Sequence, residues 1–461
     1  MKIFKRALLI LLLIIIVYVG RLGWQIITII SAYGAKDLCS CVFVGERNPQ
    51  DVFRNELDFF PIYYGSFKIN LQDSSATGNV LGIGERKAIF RKGLGCTFVA
   101  GISEEELRNQ KIKVYRPSKI NADSIPWPQG NKLPDTIPKK INKVKLQTAI
   151  GNAFIETDTV KINQKRTRAV LVIYNGELVG EKYDLGFDKN SRQKGWSMTK
   201  SISNALVGIL VRQGKLKLEE PAPVDAWKND ERKKITLNNL MQMSSGLSWV
   251  ESYSVPPRSA TIMLYSNKDM GIYAANQPLE SKPGEVFYYS SGTANIISRI
   301  IRETVGDENY YQFPYKELFS KIGMHSIELE PDAGGTFVGS SYSMATARDF
   351  ARFGLLFLND GVWNGERILP EGWVKYSSAP AAGAKLGEYG AQWWTNAGEK
   401  NSPTNRPYPD VPTDAFLAEG HEDQYIFVVP SKKLVVVRLG LTKTDFDMNR
   451  LVSEIIESLP Q

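Results

Sequence analysis

The sequence predicts an α/β fold of the α+β kind. An antiparallel sheet is flanked by helices, a mostly helical domain is inserted into it, and an apolar membrane helix stands at the N-terminus. Three observations carry this. Arg168–Tyr174 and Glu177–Tyr183 are rich in strand formers and meet at Asn175-Gly176, a strong signal for a tight hairpin. A second pair, Gln424–Pro430 and Leu434–Leu439, folds around Ser431-Lys432-Lys433 near the other end of the chain. Between the two pairs the pattern is mainly helical, so strands distant in sequence have to share one sheet.

The N-terminal stretch comes first. Lys2, Lys5 and Arg6 precede an apolar run, Ala7–Gly20, and apolar residues resume after Arg21 with Trp24, Ile26, Ile27, Ile29 and Ile30. Ala7–Ile30 exceeds the roughly 20 residues that span a bilayer. Basic residues before such a segment keep the N-terminus inside and export the bulk of the chain. Ala32-Tyr33-Gly34 has small-x-small character, but it lies far from the centre of the apolar run, so an uncleaved signal anchor is expected over a cleaved signal. The expected protein is single-pass, with its main domain periplasmic or extracellular. The expected domains are 1–35, the anchor; 36–143, an extension and linker; and 144–461, the main domain, with its helical insertion at about 215–335.

Within the extension, Phe67–Leu71, Ala88–Arg91 and Thr97–Ala100 read as short strands. Gly82-Ile83-Gly84 lacks the third glycine and following helix of a dinucleotide loop. Gln110–Lys143, with Pro117, Pro126, Pro128, Pro134 and Pro138, reads as an extended linker or a wrapping arm. In the main domain, helices are expected at Thr148–Phe154, Leu237–Met243, from Gly292 to about Gly306, at Ala345–Leu358 and at Asp447–Leu459.

Composition narrows the chemistry. The formal charge of +8 is spread along the chain without a dense basic block, which suits mild attraction to a membrane or cell wall and gives no nucleic-acid module. There are two histidines, His325 and His421, too few for a histidine-rich metal site. Cys39, Cys41 and Cys96 have no zinc-site spacing. They allow one disulfide, with Cys96 joined to Cys39 or Cys41, or else buried thiols. No metal and no cofactor is expected.

Chemistry concentrates at Ser197-Met198-Thr199-Lys200. Ile202, Leu206, Ile209 and Leu210 follow at helical spacing, so Ser197 and Lys200 lie one turn apart on one face. A hydroxyl becomes a nucleophile when a neighbouring base takes its proton, and an amine serves only when neutral. Burial and positive potential lower a lysine pKa. A helix N-terminus supplies that potential, with free N–H groups for an oxyanion. The plainer reading is a capping serine followed by an exposed lysine.

The chain resembles the serine β-lactamase and penicillin-binding-protein superfamily over about residues 145–461. It looks closest to the class C-like branch of esterases, D-amino-acid peptidases and 6-aminohexanoate-dimer hydrolases. Ser197-Met198-Thr199-Lys200 matches the nucleophile motif. Ile235–Leu247 matches the helix and turn that follow it. Pro283-Gly284-Glu285-Val286-Phe287-Tyr288-Tyr289-Ser290-Ser291 matches the second motif, and Gly420-His421-Glu422-Asp423-Gln424 stands at the third. The resemblance implies that Ser197 is acylated and that Lys200 accepts its proton or tunes the acceptor. It implies that Tyr289 shuttles a proton to the leaving group, while Tyr288 packs. It implies an oxyanion hole from the N–H groups of Ser197 and Gln424, the latter on an edge strand. Ser291, His421 and Gln424 are therefore expected at the substrate.

Three departures matter. Ser291 stands where asparagine is commonest. Asp423 replaces a glycine and is expected to crowd the nucleophile helix or add negative charge. His421 replaces a lysine, which weakens attraction for a carboxylate and shifts the expectation from β-lactamase toward an amidase or esterase. A penicillin-binding-type D-Ala peptidase or β-lactamase stays open, as does a catalytically degenerate binding protein. Among the remaining candidates, His325 and Asp349 read as structural, and Trp393-Trp394 as cleft lining or core.

Overall fold

The computed structural model describes residues 2–115, 120–134, 138 and 140–460, so Pro117 of the proline-rich arm lies outside the described residues. The chain divides into two compact units.

The first unit comprises Met1–Gln110, Trp249–Met270 and Asp332–Gly335. Its N-terminal helix, Lys2–Cys39, runs on into a wider turn, Ser40–Val44. The leading half is exposed from Ile3 to Val19, whereas Ser31 to Cys41 are all buried. Among the described residues it is the one helix long and apolar enough to cross a membrane. The buried half packs on an antiparallel sheet of β1 (Gly65–Asn70), β2 (Ser75–Val80), β3 (Ile83–Arg91) and β4 (Gly95–Phe98), in that order. Contact is close because Gly78 carries no side chain: a Cβ there would collide with the Ser31 carbonyl. β2 escapes the sequence reading for this reason, since Ser75-Ala76-Thr77-Gly78 was built for a helix to sit on and lacks large apolar residues. Cys39 is disulfide-bonded to Cys96, and Cys41 is buried beside them. Ala32-Tyr33-Gly34 lies inside the packed part of the helix.

The second unit comprises Lys111–Ser248, Gly271–Pro331 and Thr336–Gln461. The first hairpin forms as expected from β5 (Thr167–Tyr174) and β6 (Glu177–Tyr183). A small sheet holds β7 (Arg192–Lys194), β8 (Glu328–Leu329) and β9 (Ser343–Thr346), with β9 central. β10 (Val362–Trp363) and β11 (Glu366–Arg367) make a separate short hairpin. The remaining strands are β12 (Trp394–Thr395), β13 (Phe416–Gly420), β14 (Gln424–Val429) and β15 (Leu434–Gly440). They complete a six-stranded antiparallel sheet in the order β12-β13-β14-β15-β5-β6. Sequence-distant hairpins thus share one sheet, as the pattern demands.

Helices cover both faces. Lys143–Asn152 and the C-terminal helix Met448–Ser458 pack on Val170, Val172, Phe427 and Val436. The opposite face carries Ala347–Leu358, where Gly354 lies flat on Ile426 and Val435. The described part of the proline-rich arm wraps this unit. Trp127 donates to the Gly176 carbonyl at 2.9 Å, and Arg352 donates to the Pro128 and Gly130 carbonyls.

Inside the sheet, Arg438 of β15 is fully buried. Its guanidinium donates to the carbonyls of Asp423 (2.7 Å) and Lys165 (2.6 Å) and to the hydroxyls of Thr167 (2.9 Å) and Thr442 (2.6 Å). Burial pushes its pKa down to about 10 against the pull of Asp423. This residue fastens the β13–β14 turn to β5 and β15. Arg438→Met keeps the volume and strands those acceptors, so it should destabilise the fold by about 3 kcal/mol or more in urea unfolding.

Candidate active site

The site is built at the turn between β7 and the serine helix, Met198–Arg212. The chain enters on Gly195, whose N–H donates to the Ser343 carbonyl at 2.8 Å. A Cβ on Gly195 would sit 2.5 Å from Ser343 Oγ. Trp196 then adopts a left-handed φ of +46°, a conformation costly for a bulky residue. This sharp corner presents Ser197 at the helix start. The Ser197 side chain makes no capping bond, and Lys200 is 1% exposed. The plainer reading, a capping serine with an exposed lysine, does not describe this geometry.

Lys200 Nζ donates to Ser197 Oγ at 2.9 Å, to Ser291 Oγ at 3.1 Å and to the Ser340 carbonyl at 2.9 Å. It also lies 4.8 Å from the centroid of the Tyr289 ring. Ser291 opens the helix Ser291–Val305, whose cap is Ser290, bonded to the Thr293 N–H at 3.0 Å. Asn295, one turn on, holds Ser340 from both sides: its amide donates to Ser340 Oγ at 3.1 Å, and its oxygen accepts from the Ser340 N–H at 3.2 Å. Ser340 and Asn295 had no signal in the sequence, because a carbonyl contact depends on where a loop passes and not on which residue carries it.

Tyr289 stacks on Trp394 (5.1 Å between centroids, 25°) and meets Tyr389 edge-on at 5.8 Å. Tyr288 is exposed, and its N–H donates to the Met243 carbonyl at 2.8 Å. The tryptophan pair divides its duties. Trp393 is buried among Phe353, Phe357 and Phe416, while Trp394 is the partner of Tyr289. Asn204 and Ser201 of the serine helix hold this segment through the Ala391 and Gln392 carbonyls, at 2.8 and 2.7 Å.

On the other side stands the β13–β14 turn. The Gly420 backbone lies against Gly195 and Trp196 so closely that a Cβ on Gly420 would collide with the Gly195 carbonyl. His421, Glu422 and Asp423 form the turn, the last two with φ of +65° and +60°. The expectation that Gln424 lies on an edge strand is not met. β14 is interior, paired with β13 and β15, although Gln424 itself pairs only with Gly420 of β13. The Gln424 side-chain amide closes the turn, donating to the Glu422 carbonyl at 2.9 Å and the Gly440 carbonyl at 2.8 Å. The Asp423 carboxylate, expected to crowd the serine helix or add negative charge there, accepts from the Phe446 N–H at 2.6 Å. Burial raises its pKa to about 6, against the pull of Arg438.

Glu422 is the group that sequence reasoning missed. Buried at 4% exposure, it accepts from Trp196 Nε1 at 3.3 Å and from Lys443, with Lys194 Nζ at 3.7 Å. Burial works against its charge, but Lys194 and Lys443 prevail and hold it far below the usual carboxylate range. Lys194 also lies over the Trp196 ring at 4.9 Å, and His421 meets that ring edge-on at 5.3 Å. His421 is exposed at its surface, yet the protein packed around it, aided by Lys443 and Lys194 and opposed by Glu422, pushes its pKa down to about 4. The imidazole is neutral at physiological pH. His325 and Asp349 are structural: burial lowers the His325 pKa, and Asp349 accepts from the Ser326 N–H (2.7 Å) and Arg352 (2.7 Å).

Residues 155–451 match the model of the beta-lactamase family. The chain belongs to that family. It is 25% identical over 275 residues to the 6-aminohexanoate-dimer hydrolase of Paenarthrobacter ureafaciens, covering 52% of this chain and 67% of the relative. A solved Bacillus anthracis structure, provisionally described as a 6-aminohexanoate-dimer hydrolase, superposes with a TM-score of 0.56 at 23% identity. It covers 72% of this chain and 90% of that one. A family VIII carboxylesterase has a TM-score of 0.52 at 15% identity, over 71% of this chain and 99% of its own. Proteins named as hydrolases are thus among those it resembles.

Two outcomes follow for this beta-lactamase family member. Glu422→Ala releases Trp196 and should lower kcat by on the order of 100-fold through misplacement of Ser197. Glu422→Gln keeps an acceptor for Trp196 and should recover most of that loss; equal loss in both variants would mean that charge, and not position, is at stake. An NMR titration of His421 should give a midpoint near 4. Unfolded histidine titrates near ~6.5, so this residue should withdraw stability as pH falls from there toward its folded midpoint.

Proposed function

We propose that this protein is a membrane-anchored, exported serine hydrolase that cleaves an amide or ester through an acyl-enzyme on Ser197. The observation that carries the reading is the 2.9 Å contact between Lys200 Nζ and Ser197 Oγ, made by a lysine with almost no exposed surface. In its neutral form the Lys200 amine has a lone pair, so it accepts from the Ser197 hydroxyl and takes that proton as Oγ attacks the carbonyl carbon. The developing oxyanion is held by the Ser197 N–H at the helix start and by the Gln424 N–H just past the turn whose Gly420 lies against Gly195 and Trp196. Tyr289 passes a proton to the departing nitrogen or oxygen, and the C–N or C–O bond breaks. Water then attacks the acyl carbon, gives its proton to the Lys200–Tyr289 pair, and Ser197 leaves with a proton restored.

The substrate reading is a small or peptide-like amide or ester. Proteins of similar fold named as a 6-aminohexanoate-dimer hydrolase and a family VIII carboxylesterase support it. Neutral His421 supports it too, since no fixed cation stands at that position for the carboxylate of a D-Ala peptide or β-lactam. Membrane anchoring rests on the exposed apolar half of the N-terminal helix. Export accords with the Cys39–Cys96 disulfide, a bond that persists outside the cytosol. Retention of the helix accords with the burial of Ala32-Tyr33-Gly34 within the first unit.

The full-length protein in detergent, treated with a fluorophosphonate, should be labelled on Ser197 as read by mass spectrometry, and Ser197→Ala should abolish the label. With a p-nitrophenyl acyl ester, Lys200→Met and Tyr289→Phe should each lower kcat by about 10²–10⁴-fold. A folded protein that takes no label would support the degenerate binding-protein reading. A stable adduct with labelled penicillin would support the peptidase.

A further inference from the structure

The first unit exposes apolar side chains that its fold does not use. Leu81 and Ile83 tip the β2–β3 turn and are 91% and 51% exposed. Leu81 also holds a left-handed φ of +52°. That conformation suits glycine or asparagine and is costly for leucine. The side chain buries nothing in return. Phe60, Tyr63 and Tyr64 form a second exposed group just before β1, with the two tyrosine rings 4.5 Å apart and Phe60 within 6.3 Å of both.

Strand register brings the two groups together. Gly65 of β1 pairs with Val80, and Val80 pairs with Ile83. Tyr64, Leu81 and Ile83 therefore share one end of the sheet. The apolar helix leaves the sheet at this same end, since a Cβ on Gly84 would sit 2.5 Å from Ile27 Cγ2. From Ala7, just past the leading basic residues, to Ile26 the helix is about 30 Å long at the standard rise, matching the ~30 Å hydrocarbon thickness of a bilayer. A bilayer filled by that stretch ends level with Trp24–Thr28, beside the β2–β3 tip.

We infer that this end of the sheet is a collar seated in the membrane surface. Leu81 and Ile83 reach the upper acyl region around the emerging helix with Phe60 beside them, and Tyr63 and Tyr64 lie at headgroup level, where aromatic rings with polar tips are favoured. Exposed Glu85, next along β3 from Gly84, limits the depth, because a carboxylate stays among the headgroups. The inference rests on the proposal that the helix crosses a bilayer.

The test uses the full chain reconstituted in phosphatidylcholine vesicles. Single variants Val17→Cys, Leu81→Cys, Tyr64→Cys and Leu71→Cys carry an environment-sensitive fluorophore; quenching by lipids bearing a nitroxide deep on the acyl chain is read for Val17→Cys, and by lipids bearing one near the headgroup for the other three. The unsubstituted protein is the labelling blank. Leu71, 68% exposed, is an accessible leucine at the opposite end of the sheet, beyond the Asn70–Ser75 pair. Leu81→Cys should be quenched several-fold more than Leu71→Cys, and Tyr64→Cys should follow Leu81→Cys. Quenching at Val17→Cys with Leu81→Cys no different from Leu71→Cys would overturn the collar and leave the anchor standing. No quenching at Val17→Cys would sink the anchor, and the collar with it.

Discussion

A lysine amine removed from water has to be given oxygen by the protein, and that requirement organises the site. Lys200 finds a hydroxyl on its own helix, a hydroxyl on the helix Ser291–Val305 and a carbonyl at Ser340. These come from three separate stretches of chain. Each is held elsewhere: Ser291 by the cap at Ser290, Ser340 by Asn295, and the serine helix by its burial along Met198–Leu210. Loss of any one support leaves a buried nitrogen with too few partners, which costs more than the contact itself contributes. The site is therefore as much a solution to burying Lys200 as a device for using it.

The second constraint is steric. A Cβ on Gly195 would meet the Ser343 hydroxyl and the Phe350 ring, and one on Gly420 would meet the Gly195 carbonyl. This last contact joins the serine turn to the central sheet. Glu422 adds a polar tie across the same seam, bridging the indole of Trp196 and two lysines. Three non-glycine residues near the seam, Trp196, Glu422 and Asp423, hold left-handed conformations. Such strain persists only where surrounding contacts fix it, and here hydrogen bonds from Arg438, Gln424 and Phe446 do so.

Much of this was legible in the sequence, for identifiable reasons. The two hairpins were written in β-branched runs and an Asn-Gly turn, and the serine helix in its Ile202–Leu206–Ile209 spacing. β13 was not legible. Phe416, Leu417 and Ala418 are all buried, so an interior strand packed on both faces shows no alternation. β7 and β9 are too short to show a period. Of the site, Ser197, Lys200 and Tyr289 stood out as motif residues. Glu422 looked like any loop carboxylate, and only the fold reveals that it is buried between cations. Gln424 misled because the motif suggested an edge, whereas β15 covers the far side of its strand.

The Cys39–Cys96 bond joins the last turn of a long helix to the middle of β4. Side-chain packing alone would let a pull along the helix axis peel it from the sheet one layer at a time. A covalent tie at the far end changes the mechanics. Tension arriving from the exposed half passes through the packed half and ends on a strand braced by β3, so the helix and sheet have to yield together or not at all. The first unit is in this sense a rivet, its shank the apolar helix and its head locked by a single bond.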